Sequence, residues 1–197
     1  MREMIKMVVV LLILASFSGG LLASIRNNTK ERIEYQELTF VKGPAIRAIL
    51  EGSSNDPIVD RFKIAHGDTE HSFFVGVFDG EAKTVALEST GGGFGGDIGV
   101  MVGVNVQDDK IIGVGVTTHS ETPGIGSKAK TDPGFVSQFN DLPLTGTFAV
   151  KTAGGQIDAM SGATVTSQGV SVGVTGAAEI YEALKPQIVE QLNSFSK

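Results

Sequence analysis

The sequence predicts an α+β chain: one N-terminal transmembrane helix, then a single domain built on a twisted antiparallel sheet with flanking helices. Three features carry that reading. Residues 7–25 carry no charge; residues 98–118 hold two alternating apolar runs joined by Gln107, Asp108, Asp109 and Lys110; and apolar residues between Val170 and Ile188 recur at helical spacing. A length of 197 residues suffices for one ordinary domain plus a short extra element and is too little for two separate cores.

The run MVVVLLILASFSGGLLASI at 7–25 would rise about 28 Å as a helix, close to the thickness of a bilayer core. Its alternative is a cleaved signal peptide. The apolar run exceeds a usual signal core, and Leu22-Ala23-Ser24 is a poor cleavage site, so a retained span is the reading. Arg2 and Lys6 precede the run and Arg26, Lys30 and Arg32 follow it, so charge does not set its orientation. The chain is read as a spanning helix over 1–26, a juxtamembrane helical and linker region over 27–65, and a domain over 66–197. Within the linker region, residues 27–37 are polar helix formers, 44–50 form an amphipathic turn or helix, and 52–57 form a loop. Strands are predicted over 72–78, 84–87, 98–106, 111–118 and 148–152. Asp132-Pro133 has the chemistry of a helix start. The last helix presents Val170, Val174, Ala177, Tyr181, Leu184 and Ile188 on one face. Its first part, VSVGV, is equally compatible with a strand, and Pro186 is expected to kink or divide it.

Composition removes several functions. The net charge is −6, from 16 basic and 22 acidic residues, with no basic stripe, so no nucleic-acid partner is expected. The absence of Cys excludes disulfides, thiolate nucleophiles, zinc–thiolate sites, iron–sulfur ligation and lipid attachment at cysteine by this chain. Three scattered histidines at 66, 71 and 119 do not make a metal cage, and no metal site is predicted.

Three segments stand out chemically. Residues 91–96, GGGFGG, permit close backbone approach or simply a flexible turn. They match neither a dinucleotide fingerprint nor a phosphate-binding P-loop. The second segment, residues 119–128, follows the strongest strand. There His119 and Glu121 offer an acid/base pair without a nucleophile, or His119 is a hydrogen-bonded structural residue. The third, residues 158–167, packs small residues and hydroxyls before the last helix, where a phosphate would be favoured and where an elaborate N-cap is the plainer alternative.

Asp158-x-x-Ser161-Gly162-Ala163-Thr164 resembles the flavinylation motif of proteins that carry FMN in a phosphodiester bond to threonine. With His119-Ser120-Glu121-Thr122-Pro123-Gly124-Ile125-Gly126, Gly93-Phe94-Gly95-Gly96-Asp97-Ile98 and a preceding span, the chain resembles the G subunit of the Rnf electron-transport complex, a relative of the C subunit of the Na⁺-translocating NADH:quinone reductase. Phe135 is one departure, at a position where the family's pattern leads one to expect Trp.

The resemblance implies an FMN-binding domain with FMN covalently attached to the Thr164 oxygen and no catalytic residue of its own. It places Ser161, Gly162, Ala163, Val165 and Thr166 around the phosphate, with the helix beginning near Thr166 and with Thr166 and Ser167 as further donors. It places Glu121, Thr122, Gly124, Ile125, Gly126 and Lys128 along the flavin ring. A separate FAD-dependent flavin transferase would recognise Asp158, Ser161, Gly162 and Ala163. The implied partners are that transferase, the other Rnf subunits and membrane lipids. The implied role is electron relay between ferredoxin and NAD coupled to Na⁺ or H⁺ transport, in the cytoplasmic membrane, with the domain on the extracytoplasmic side. Three alternatives stand beside it: the equivalent subunit of the quinone reductase, a membrane-tethered interaction domain without cofactor, and a Ser/Thr hydrolase, which lacks a nucleophile elbow.

Overall fold

The computed structural model describes residues 1–67 and 69–195. The chain divides into two compact units, Met1–Leu38 and Thr39–Lys197. In the first, α1 (Arg2–Gln36) is one unbroken helix that buries no residue. It is long and apolar enough to cross a membrane. The polar stretch after the apolar run continues the same helix, as expected, up to Gln36.

The second unit holds α2 (Gly43–Ile49), strands β1 (Arg61–His66), β2 (Thr69–Phe78), β3 (Glu81–Gly92), β4 (Asp97–Asn105) and β5 (Lys110–Val116), and helices α3 (Lys128–Thr131), α4 (Pro133–Val136) and α5 (Thr164–Leu192). The sheet is an antiparallel meander in the order β1-β2-β3-β4-β5. Its core follows from alternation along each strand. Val85 and Leu87 on β3, Ile98, Val100, Val102 and Val104 on β4, and Val114 and Val116 on β5 join one buried cluster with α5. The intervening residues face the other way. There Gly103, Gly113 and Gly115 lie against Ala45 and Ile49 of α2. A two-sided sheet explains why β4 is buried from Ile98 to Val104. Residues 39–65 belong to this unit, with Ile46, Leu50, Ile58, Phe62 and Ile64 all buried.

The last helix carries the predicted face: Val170, Val174, Ala177, Tyr181, Leu184 and Ile188 are each at most 1% exposed. The VSVGV segment is helical, and α5 starts at Thr164. It approaches the end of β3 so closely that a Cβ on Gly91 would collide with the Gly169 carbonyl oxygen. Glycine in a helix interior costs about 1 kcal/mol relative to alanine. The close approach of helix and strand offsets that cost. Pro186 sits inside α5 without dividing it. Its ring and Glu182, whose carbonyl loses its partner, are on the exposed face, where water replaces the missing hydrogen bond.

Other departures have local causes. The strand predicted over 84–87 extends through Gly92, so Gly91 and Gly92 are strand residues. The unforeseen strand β1 carries only two buried side chains, Phe62 and Ile64, between charged neighbours. Residues 148–152 form no strand: Val150 makes an isolated bridge to Ile157, and a 3₁₀ turn begins at Lys151. The Phe148 and Val150 N–H groups instead reach Thr175 Oγ1 and Gln168 Oε1 on α5, at 2.8 and 3.2 Å. The helix start at Asp132-Pro133 forms as predicted, the Asp132 carboxylate accepting from Gly134 N at 2.9 Å.

The β4–β5 turn is tied to α5 by one side chain. Asp109 adopts φ +57 and accepts from Tyr181 Oη at 2.7 Å and Lys185 Nζ at 2.6 Å. The Lys185 ammonium holds the Asp109 carboxyl below its ordinary range, with the Tyr181 hydroxyl adding to the effect against opposing burial. A carboxyl with a depressed folded pKa stabilises fully above its unfolded value, about 3.9, and loses that contribution as pH falls through the lower folded value. Asp109→Ala is therefore expected to lose about 1–2 kcal/mol at neutral pH, a figure reduced for the partial exposure of the pair. It should also show a smaller further loss than wild type between about pH 4 and pH 2. Urea unfolding at both ends of that range checks it.

Candidate functional site

Three loops converge at one end of the domain: residues 93–96 between β3 and β4, residues 117–127 after β5, and residues 158–163 before α5. They line a cavity of about 450 Å³ formed by Phe94, Glu121, Thr122, Ile125, Gly126, Gly162, Ala163, Thr164, Val165 and Thr166. That volume is in the range of sites for small molecules and cofactors.

Glu121 organises the floor. It is 6% exposed, and its two oxygens bridge two of the loops to the start of α5. Oε1 accepts from Gly95 N at 2.7 Å, and Oε2 accepts from the Thr166 hydroxyl. Glycine is required around it: a Cβ on Gly93 would lie 2.5 Å from Oε1, and one on Gly126 would lie 2.6 Å from Oε2. A Cβ on Gly95 would run into the Ser120 carbonyl oxygen. Gly93 and Gly95 serve close approach, Gly93 to this carboxylate and Gly95 to the Ser120 backbone, while Gly96 takes φ +135 in the turn. The turn reading describes Gly96 and close approach describes Gly93 and Gly95.

The loop before α5 is also built for presentation. Ala163 N donates to Met160 O at 3.0 Å, closing a turn in which Gly162 takes φ +75, a conformation that favours glycine. Met160 N donates to Ser167 Oγ at 2.9 Å, and the Ser167 hydroxyl donates to Ala163 O at 2.9 Å. Upstream, the Gln138 side chain accepts from Asp158 N at 2.7 Å and donates to Asp158 O at 3.2 Å. The Asp158 carboxylate faces solvent, paired with Lys151 at 2.7 Å. Ala163 is the N-cap of α5 and supplies no side-chain cap, and among the described residues no acceptor meets the N–H groups of Thr164, Val165 and Thr166. Thr164 is exposed and is the first residue of the helix.

Beside this polar helix end the surface is apolar. Phe94, Ile125 and Val165 are 75%, 48% and 53% exposed and come from the three segments that meet here. Large apolar side chains gathered in a concave surface mark a binding site. The arrangement offers a flat apolar group a place beside unpaired N–H donors and a free hydroxyl.

Of the residues predicted for the site, Glu121, Thr122, Ile125, Gly126, Gly162, Ala163, Thr164, Val165 and Thr166 line the cavity. Ser161, Gly124 and Lys128 do not: Ser161 is exposed on the turn, Gly124 takes φ +73 in a turn closed by Ser127, and Lys128 is exposed. One expected role is revised. The Thr166 and Ser167 hydroxyls are not spare donors for a phosphate, because each has given its hydrogen to Glu121 or Ala163. Of the two readings of His119, the hydrogen-bonded structural residue is the one observed: its Nδ1 accepts from the Glu121 backbone N at 3.3 Å, while the Glu121 carboxylate bonds Gly95 N and the Thr166 hydroxyl. Sequence reasoning misses Phe94 as a cavity residue. Its one signal is an aromatic side chain in the middle of a glycine run.

The FMN-binding domain family matches residues 93–179, which take in all three segments. The G subunit of the ion-translocating oxidoreductase complex of Erwinia tasmaniensis is 32% identical, covering 91% of this chain and 90% of that protein. The corresponding G subunit of Methanosarcina acetivorans is 28% identical over 92% of this chain and 96% of its own. In fold, the chain is similar to the C subunit of the Na⁺-translocating NADH-quinone reductase from Parabacteroides distasonis, at a TM-score of 0.58 and 20% identity, covering 83% of this chain and 96% of that one. The cavity fits FMN on its own geometry, with apolar walls for a planar ring and unpaired helix N–H groups for a phosphate. The chain therefore belongs to the family of G subunits of ion-translocating oxidoreductase complexes, with its FMN-binding domain at residues 93–179.

Proposed function

We propose that this chain is the membrane-anchored flavoprotein subunit of an ion-translocating oxidoreductase complex, with FMN bonded through its phosphate to Thr164 Oγ1. The observation that carries this reading is the meeting of Phe94, Ile125 and Val165, all exposed, around an exposed threonine hydroxyl at an uncapped helix N-terminus. FMN supplies one- and two-electron chemistry that a chain without Cys has no side chains to perform.

The chain's own residues do the rest. The first-turn N–H groups of α5 meet the phosphate's remaining negative charge, which the helix dipole favours by about 0.3–1 kcal/mol before direct hydrogen bonds are counted. Phe94, Ile125 and Val165 cover the ring. Glu121 holds the two facing loops at a fixed separation. Lys128 is exposed and off the cavity wall, as a solvated surface lysine would be.

Attachment needs a second protein, because among the described residues no base is bonded to Thr164. A flavin transferase using FAD balances the chemistry: Thr164 Oγ1 forms the bond to the FMN phosphorus, AMP leaves, and the hydroxyl proton goes to solvent or a transferase base. Asp158, Ser161 and Gly162 are exposed and open to such a partner, while Gln138 fixes the Asp158 backbone. In the assembled state the partners are the other subunits of the complex and the surrounding lipid, with the domain on the extracytoplasmic side. The full chain co-expressed with a FAD-dependent flavin transferase should be yellow, keep its fluorescence in a denaturing gel, and yield one flavinylated peptide, modified at Thr164. A colourless product would favour a tethered interaction domain, and flavin on Thr166 or Ser161 would misplace the bond.

A further inference from the structure

We propose that Glu121 is a positioning residue whose buried charge holds the reduction potential of the bound flavin low. This rests on the cavity beside Thr164 being the flavin's seat. Glu121 lines that cavity, yet it is 6% exposed, with both oxygens engaged inside the fold. The donors that meet them, Gly95 N–H and the Thr166 hydroxyl, are both neutral. Among the described residues no Lys, Arg or His forms an ion pair with it. An ionised carboxylate only accepts hydrogen bonds, and here each oxygen faces one donor. The surrounding backbone closes tightly on it: a Cβ at Gly93 or Gly126 would stand 2.5 or 2.6 Å from one of its oxygens.

The placement is costly, since a buried charge without a counter-ion is ordinarily avoided. A tie between two loops could be made by a neutral side chain. What a carboxylate adds is a fixed negative field under the site, acting through a medium of lower dielectric than water. Reduction adds electron density to the flavin, and a nearby anion opposes that. Thr166 and Gly95 set the strength of the field by partly neutralising it, which gives Thr166 a part other than binding phosphate.

The test is a spectroscopic redox titration of the flavinylated full chain in detergent. Glu121→Gln keeps the size and a hydrogen-bonding amide while removing the charge. Its midpoint should move positive by at least tenfold in the reduction equilibrium, about 30 mV for a two-electron couple. Thr166→Val keeps the charge and removes a donor, so its midpoint should fall below wild type, and Thr166→Ser should restore it. A merely structural tie would move both variants the same way, through a loosened site, or move neither; either result overturns the proposal. If Glu121→Gln retains no flavin, the Thr166→Val and Thr166→Ser pair decides, and equal potentials overturn it. Flavin mapped to a residue other than Thr164 would instead undo the site reading beneath it.

Discussion

Thr164→Ala is expected to yield a folded protein with no covalent flavin, the largest change in cofactor content available from one substitution. The Thr164 side chain is exposed, carries none of the hydrogen bonds that hold the loop, and starts a helix whose packing begins further along, at Thr166 and Ser167. Removing it takes away a hydroxyl on the cavity wall that makes no hydrogen bond among the described residues. The other two lining threonines differ: Thr166 is bonded to Glu121, and Thr122 is on the opposite loop. Stability should stay within about 0.5 kcal/mol, as for surface changes away from buried features, so the melting temperature should move by about 2 °C at most. Thr164→Ser keeps a hydroxyl at the same place and should retain some attachment. Thr166→Ala should keep the covalent bond, since its hydroxyl faces the carboxylate beneath the cavity. Peptide mass spectrometry with thermal unfolding separates these outcomes; flavin still bonded in Thr164→Ala would show the linkage to be elsewhere.

Gly126→Val is expected to lose most of the flavin and to destabilise the domain by about 2–4 kcal/mol, combining overpacking with a broken charge-assisted hydrogen bond. A Cβ at this position would stand 2.6 Å from Glu121 Oε2 and 2.7 Å from Thr166 Oγ1, so the side chain enters the tie itself. Gly124→Val, two residues away, should behave differently. Nothing lies within 4 Å of a Cβ there, and its φ of +73 makes the cost one of backbone strain, about 1–2 kcal/mol. Gly124 does not line the cavity, so its flavin content should stay near wild type. The ratio of flavin to protein absorbance, measured beside the melting temperature, distinguishes the two. Equal flavin loss at both positions would mean that the loop acts as one flexible unit, without the Glu121 tie as its centre.

The apolar helix, the β4–β5 hairpin and the packed face of α5 are legible in the sequence because each is set by local periodicity. An uncharged run at 7–25, alternation on two adjacent strands, and a stripe from Val170 to Ile188 need no distant partner to be recognised. The segment around Thr164 stands out in the sequence for a different reason, a short run of small and hydroxyl residues, and the structure puts Thr164 on the cavity wall at the start of α5. Strand β1 is not legible, since two buried side chains among charged neighbours make no periodic signal without β2 beside them.

How separate loops share atoms is set by tertiary contacts alone. The amino-acid order makes residues 91–96 glycine-rich, but does not reveal that Gly91 packs on α5 while Gly93 and Gly95 enclose a carboxylate. It puts Glu121 after a strand and Thr166 and Ser167 near a helix start. It does not reveal that their side-chain hydrogen bonds are made within the fold. It sets Phe94 between glycines without linking it to Ile125 and Val165. One cause underlies all three. Periodicity and short motifs report interactions between neighbours in the chain. The Glu121 tie spans 26 residues to Gly95 and 45 to Thr166, and such pairings exist only once the sheet has brought the loops together.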